Sequence, residues 1–351
     1  MEHNPRKQEP EIGLVIPCYN EESVLPMLLK RLEGLLAAWS YPAWVLFVDD
    51  GSQDRTAELL AEACQRNERM ACLKLSRNFG HQTAVSAGLM HARGDVVVVL
   101  DADLQDPPEV VPQMLAKWRE GYDVVYGVRE NRKESALLRG AYSLFYRILK
   151  RIANVDLPLD AGDFSLMDRR VVDRINELPE HNRFIRGLRG WVGFRQIGLP
   201  YSRDARQAGE PKYNLRRLLN LAMNGLVSFS SIPLQMASWM GALSSLLGFA
   251  LMIWAAISGL IHGKTPPGWA SLAVIILVFG GMQLIVLGIM GEYLSRIFDE
   301  VKRRPHFIVD RALGWAEEAR SETVCRLNLN TRVNMIPWSS FIGGSGCDES
   351  F

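Results

Sequence analysis

With 351 residues, of which 48% are hydrophobic, the chain has apolar matter for one large or two ordinary cores, so size excludes no fold class. A formal charge of +1 excludes a global basic field of the kind that gathers nucleic acid, and leaves any attraction to anionic lipid or phosphate to local clusters. Cys18, Cys64, Cys72, Cys325 and Cys347 show no CxxC spacing, and the opening MEHNPRKQEPE is too polar for a signal peptide; reduced thiols and a cytosolic N-terminus are expected.

From residue 12 to about 127, short runs rich in Val, Leu and Ile alternate with amphipathic stretches. Strands are expected at Ile12 to Pro17, Trp44 to Val48, Met70 to Leu75, Asp95 to Leu100 and Asp123 to Tyr126. Helices are expected between them, at Glu22 to Ala38, Thr56 to Asn67, Thr83 to Ala92 and Pro108 to Arg119. This order predicts an α/β domain with a mostly parallel sheet and right-handed crossovers, in which ligands bind beyond the carboxyl ends of the strands. Each expected strand ends in polar residues: Tyr19-Asn20-Glu21, Asp49-Asp50, Arg77-Asn78, Asp101 with Asp103, and Arg129. Any one polar loop means little, but all five are expected along one edge.

No GxGxxG follows the first strand and no GxxxxGK[ST] occurs anywhere, so diphosphate is not expected to be held as in dinucleotide-binding or P-loop domains. Asp101-Ala102-Asp103 instead places two carboxylates together after a very apolar strand. Hard divalent cations take such oxygen ligands and complete their shells with substrate phosphates, so Mg²⁺ or Mn²⁺ is the expected cofactor. In Asp49-Asp50-Gly51-Ser52-Gln53-Asp54-Arg55-Thr56, Gly51 permits a tight turn and Asp54 suits the cap of a helix starting near Thr56. Asp49 and Asp50 have no evident capping task and suit hydrogen bonds to a base or ribose.

Charge disappears further along. From Leu218 to Ile261 there is no Asp, Glu, Lys or Arg, and a second uncharged run covers Thr265 to Gly291. Each supplies the roughly 20 apolar residues of a bilayer span, and His262 to Gly268 separates them. Spans are expected at about 236–261 and 269–291 within a segment 233–295, after an interfacial amphipathic helix over 211–232. Lys212, Arg216 and Arg217 before the spans, and Arg296, Lys302, Arg303 and Arg304 after them, put both flanks in the cytoplasm. Residues 1–210 form the expected cytoplasmic catalytic domain and 296–351 a cytoplasmic C-terminal tail. Small residues in the spans, Gly241, Ser244, Gly248, Gly280, Gly281 and Gly288 among them, permit close helix packing and with it a homo-oligomer.

The segments Val15-Ile-Pro-Cys-Tyr-Asn-Glu-Glu22, Val48-Asp-Asp-Gly-Ser-Gln-Asp-Arg-Thr56, Arg77-Asn-Phe-Gly-His-Gln82 and Leu100-Asp-Ala-Asp-Leu-Gln-Asp-Pro-Pro-Glu109 resemble family 2 glycosyltransferases of the GT-A fold. With the hairpin and Gly209-Glu-Pro-Lys-Tyr213, the resemblance narrows to polyprenyl-phosphate glycosyltransferases: bactoprenol glucosyltransferase, the undecaprenyl-phosphate formamido-arabinose transferase and, more distantly, dolichol-phosphate mannose synthase. It covers about residues 11 to 310, and its ordered series of motifs is more specific than any single one.

The resemblance implies inverting transfer from a nucleotide sugar, UDP-glucose or a related UDP-sugar, to undecaprenyl phosphate at the bacterial inner membrane. It implies nucleotide contacts by Pro17, Tyr19, Glu21, Asp49, Asp50 and Asp101, and a metal site of Asp101, Asp103 and Gln105, with Asp103 in the catalytic set. Asp163, in Ala161-Gly-Asp-Phe-Ser165, occupies the place where relatives carry an aspartate near the reacting centre, as base or as orienting group. Arg129, Arg132, Arg203, Arg206 and Lys212 are candidates for the acceptor phosphate, because guanidinium groups grip phosphate bidentately. Pro211 departs from the Ser common in relatives and alters that loop's geometry. His81 lies near the expected diphosphate but is left outside the catalytic set. The rival expectations are a processive polysaccharide synthase, disfavoured by the lack of a QxxRW motif, and a non-enzymatic membrane scaffold.

Overall fold

The computed structural model describes residues 6–129, 161–181, 183–202, 232–262 and 268–316. In chain order these form β1 (Ile12–Cys18), α1 (Leu25–Ala38), β2 (Ala43–Asp49), α2 (Thr56–Arg66), β3 (Met70–Leu75), α3 (His81–His91), β4 (Val96–Val99), a 3₁₀ turn (Pro108–Val110), α4 (Val111–Arg119) and β5 (Val124–Arg129). After them come β6 (Ala161–Asp168), α5 (Arg169–Glu177), α6 (Ile185–Trp191), β7 (Gln196–Tyr201), α7 (Ile232–His262), α8 (Trp269–Lys302) and β8 (Val309–Leu313). All five expected strands and all four expected helices are present, displaced by a few residues at their ends. The first helix starts at Leu25 rather than Glu22 because the backbone carbonyl of Glu21 accepts from the amides of Val24 and Leu25, making a turn of its own.

One sheet holds all eight strands, in the order β7-β5-β6-β4-β1-β2-β3-β8. β1 pairs in parallel with β2 and β4, β2 with β3, and β5 with β7, so the sheet is mostly parallel; β6 and β8 run against their neighbours. Parallel strands covered on both faces are apolar throughout, as in the Val96–Val99 run of β4. On one face Leu25, Leu28, Leu32 and Leu36 of α1, spaced three or four apart, pack with Leu60 and Ala63 of α2 and Met114, Leu115 and Trp118 of α4. On the other face lie Val85 and Leu89 of α3, Val171, Val172 and Ile175 of α5, and Ile185 and Leu188 of α6. α3 approaches the sheet so closely that a Cβ on Gly88 would lie 2.2 Å from Val15 Cγ1.

α7 and α8, with 31 and 34 residues, are about 46 and 51 Å long at 1.5 Å per residue, longer than the expected spans. Their apolar stretches Leu234–Trp254 and Val278–Lys302 are long enough to cross a bilayer. The helices pack as a hairpin, with Phe279 over Gly248 and the Ser244 hydroxyl against Met282, yet Trp239, Leu246, Leu284 and Leu294 remain exposed. A continuous apolar surface of this extent needs a non-aqueous cover. The expected amphipathic helix over 211–232 lies outside the described residues except at Ile232, where α7 begins.

The expected tail from residue 296 has to be divided. Residues up to Lys302 continue α8, and β8 then adds an eighth strand antiparallel to β3, with Val309 opposite Leu75. Beyond it Trp315 is 9% exposed, edge-on to Trp44 at 6.1 Å and capped by the Arg93 guanidinium at 4.6 Å. The segment after the hairpin therefore completes the sheet and covers the β3 edge. Trp315→Ala is expected to destabilise the catalytic domain by about 3 kcal/mol through the cavity it leaves. A thermal melt of the detergent-solubilised protein checks this, and an unchanged midpoint would contradict a structural role for the segment.

Candidate functional site

Parallel pairing puts the carboxyl ends of β1, β2, β3 and β4 side by side, with Cys18 opposite Asp49 and Asp49 opposite Lys74, and β5 ends on the same edge. The loops after β1 and β2 are sewn together. Asn20, held in the left-handed region at φ 55°, donates its amide to Ser52 Oγ, and its Oδ1 accepts from the Gln53 amide. The Glu21 amide donates to Thr56 Oγ1, the Glu22 amide to Asp54 Oδ2, and the Arg55 amide to Glu22 Oε2. Asp54 Oδ1 accepts from the Thr56 amide at 3.0 Å, in the first turn of α2. Gly51 has φ 69°, and a Cβ there would lie 2.5 Å from the Arg77 carbonyl carbon, so this seam rests directly on the loop after β3.

Within this frame Pro17 is buried in β1, Tyr19 is 41% exposed, and Asp49 and Asp50 are buried. Asp49 and Asp50, for which the sequence shows no evident capping task, nonetheless both accept backbone amides. Asp49 Oδ1 accepts from the Ser52 amide at 2.9 Å, while its Oδ2 is buried without a hydrogen bond. Both Asp50 oxygens accept backbone amides, from Phe79 at 2.8 Å and Gly80 at 2.9 Å, so Asp50 pins the loop that leads into α3. Burial pushes the Asp50 carboxyl up, and these two amides oppose the shift.

The acidic centre lies one strand over. Asp101 Oδ1 is buried with no hydrogen bond, and the His81 ring stands beside it, Nε2 at 3.8 Å. Burial pushes its carboxyl up to about 6; His81 opposes this, while Asp163, Asp106 and Asp103 add to it. The Asp103 Oδ1 accepts from the Gln105 amide at 3.1 Å, and the Gln105 side chain is buried. Between them Leu104 is held at φ 59° with its side chain buried, a conformation that a branched apolar residue adopts only under constraint. A buried carboxylate oxygen without a donor, in a field of other carboxylates, suits a cation. Among the described residues no group of three or more His, Cys, Asp or Glu is arranged to hold a metal by itself. The fit is therefore to a hard cation held by Asp101 and Asp103 and completed by substrate phosphate oxygens.

Asp163, on β6, faces this centre. Arg186 of α6 grips it bidentately, Nε and Nη2 each at 2.8 Å, while His81 Nε2 stands at 3.2 Å and Gln82 Nε2 at 3.3 Å. Although burial opposes it, these donors, Arg186 foremost, hold the Asp163 carboxyl far below the usual carboxylate range. Gln82 Oε1 in turn accepts from the Ile185 amide and fixes the start of α6. The structure thus brings Asp101, Asp163 and His81 together, with Asp103 on the same short loop as Asp101. Arg129 closes β5 on this edge; Arg132, Arg203, Arg206 and Lys212 lie outside the described residues.

Sequence reasoning missed Arg186 and set His81 aside. A signal for Arg186 existed in Arg183, Arg186 and Arg189, spaced three apart in the chain after Asp163, but spacing alone does not say which one turns toward the edge. Arg183 instead bonds the carbonyls of Ile175 and Leu178 at the end of α5, and Arg189 is buried against Tyr126.

The family described as Glycosyl transferase family 2 matches residues 14–175. An uncharacterized glycosyltransferase of Bacillus subtilis (strain 168) is 46% identical over 305 residues, covering 87% of this chain and 94% of the relative. The prophage bactoprenol glucosyl transferase homolog of Escherichia coli (strain K12) is 37% identical over 302 residues, 86% of this chain and 99% of the relative. The SfII prophage-derived bactoprenol glucosyl transferase of Shigella flexneri is 38% identical, covering 86% and 98%. Near full-length relationship at this identity, with the mostly parallel sheet and the acidic loop at its carboxyl edge, makes this chain a member of the family 2 glycosyltransferases, with a GT-A catalytic domain and a C-terminal apolar helical hairpin.

Proposed function

We propose that the protein transfers a sugar from a nucleotide diphosphate donor, a UDP-sugar such as UDP-glucose, to undecaprenyl phosphate at the cytoplasmic face of the bacterial inner membrane. The observation that carries this reading is that the hairpin joins the catalytic domain at the edge bearing the acidic centre. The chain leaves for the hairpin after β7, whose last residue Tyr201 lies opposite Arg129. It returns where Glu300 Oε1 accepts the His181 amide at 2.7 Å and where β8 begins beside the end of β3. With the hairpin in a bilayer, a site on that edge would face the lipid surface, where a lipid phosphate is presented. The names of the Escherichia coli and Shigella relatives support the same acceptor.

On this reading Pro17, Tyr19, Glu21 and Asp49 contact the nucleoside, Asp49 through its unoccupied Oδ2, and Asp50 shapes the pocket by holding the next loop. Asp101, Asp103 and Gln105 would hold Mg²⁺ or Mn²⁺, which when bound neutralises charge on the departing diphosphate. The acceptor phosphate, with a second pKa of about 6, is largely dianionic at pH 7 and attacks the anomeric carbon without a strong base. Asp163 is assigned an orienting role, because Arg186 occupies both its oxygens and keeps it ionised, which makes it a poor proton acceptor. Arg129, Arg132, Arg203, Arg206 and Lys212 would hold the acceptor in line.

The Asp101 carboxyl, titrating at about 6, must be ionised to serve a cation. Mn²⁺ affinity in the presence of UDP is therefore expected to weaken as pH falls through 6, by about tenfold per unit well below it. Calorimetric titration at pH 5 and 7.5 checks this, and equal affinity at both would remove Asp101 from the metal site. Incubation with a panel of labelled UDP- and GDP-sugars and undecaprenyl phosphate tests the reaction itself. One donor should yield one monoglycosyl lipid, whereas lipid-linked polymer would favour a synthase.

A further inference from the structure

We infer that Tyr201 is a positioning residue that holds the loop of Asp101 and Asp103 in its working shape. This rests on the reading of those two aspartates as the metal and diphosphate site. The loop runs from Asp101 to Asp106 and contains Leu104 in the left-handed region, so surrounding contacts have to over-determine its shape. Asp103 Oδ1 braces the loop from within, through the Gln105 amide. From outside, Tyr201 donates its hydroxyl to Asp106 Oδ1, joining the loop to the end of β7, and both side chains are buried, at 4% and 1% exposure.

The Tyr201 ring is itself fixed. It lies edge-on to Phe164 at 5.4 Å, the neighbour of Asp163, and it crosses β5 at Gly127, where a Cβ would come within 2.6 Å of Tyr201 Cε1. One ring therefore touches the acidic loop, the strand of Asp163 and the strand that ends at Arg129. It is also the last residue of β7, next to the point where the chain departs for the hairpin. Supporting groups of this kind act on metal affinity through the ligands they orient.

Tyr201→Phe removes the hydroxyl and keeps the ring packing. In metal-free protein, the amides of Leu104 and Gln105 are expected to exchange with solvent about tenfold faster than in wild type, and Mn²⁺ affinity with UDP to fall about tenfold. Asp106→Asn, which still accepts from the hydroxyl, should stay within about threefold of wild type in both readouts. Loop exchange and Mn²⁺ affinity unchanged in Tyr201→Phe would overturn the inference, whatever happens to the melting temperature. So would equal loosening by Asp106→Asn, since the charge rather than the tie would then matter. If wild type bound no Mn²⁺ with UDP, the functional reading would fall, while the exchange comparison would still decide whether Tyr201 holds the loop.

Discussion

Asp103→Asn is expected to lower sugar transfer by at least about a thousandfold while the protein stays folded, and Asp101→Asn to do the same. Both carboxylates stand on a short loop at the sheet edge, and the Asp101 Oδ1 has no hydrogen bond to lose. Removing charge there even relieves repulsion among Asp101, Asp103, Asp106 and Asp163, so the thermal midpoint should hold or rise. Loss of turnover without loss of stability separates a chemical role from a structural one. A variant that retained a tenth of wild-type turnover would show that these aspartates do not carry the departing charge.

Arg186→Met is the second large effect and differs in kind. It leaves Asp163, with 6% of its side chain exposed, without its bidentate partner, and among the described residues His81 and Gln82 remain as donors to it. A fully buried broken pair costs about 3–5 kcal/mol, but the Arg186 side chain is 37% exposed and screened, so about 2 kcal/mol is expected. Turnover should fall about a hundredfold as Asp163 loses its orientation. Arg186→Lys keeps the charge without the fork and should fall between. Turnover and melting midpoint measured on both variants check this, and a Met variant as active as wild type would place Asp163 outside the reaction.

The alternation of apolar strands and amphipathic helices up to residue 127 was legible because each unit closes locally: four leucines on one face make α1, and a four-valine run makes β4. The place of Asp54 at the start of α2 was legible for the same reason, since the Thr56 amide that its Oδ1 accepts lies two residues on. Contacts formed across the fold were not. β8 lies more than 200 residues beyond β3 in the chain, past the hairpin, and its sequence VDRAL carries no turn signal tying it to a neighbour. Asp50 looked idle because the amides it accepts belong to Phe79 and Gly80, and Asp163 looked like a possible base because its clamp sits on α6. In each case a polar side chain's task depends on which loop the sheet order brings opposite it, and local pattern does not encode sheet order.

The most direct test of the central claim is transfer of label from a UDP-sugar to undecaprenyl phosphate in bilayers, with Mn²⁺, with Mg²⁺ or with chelator, for wild type and Asp103→Asn. The expected result is one labelled monoglycosyl lipid from wild type with metal, and none with chelator or from the variant. Folded wild-type protein that labels no lipid from any donor, or labels it equally with chelator, would contradict the account.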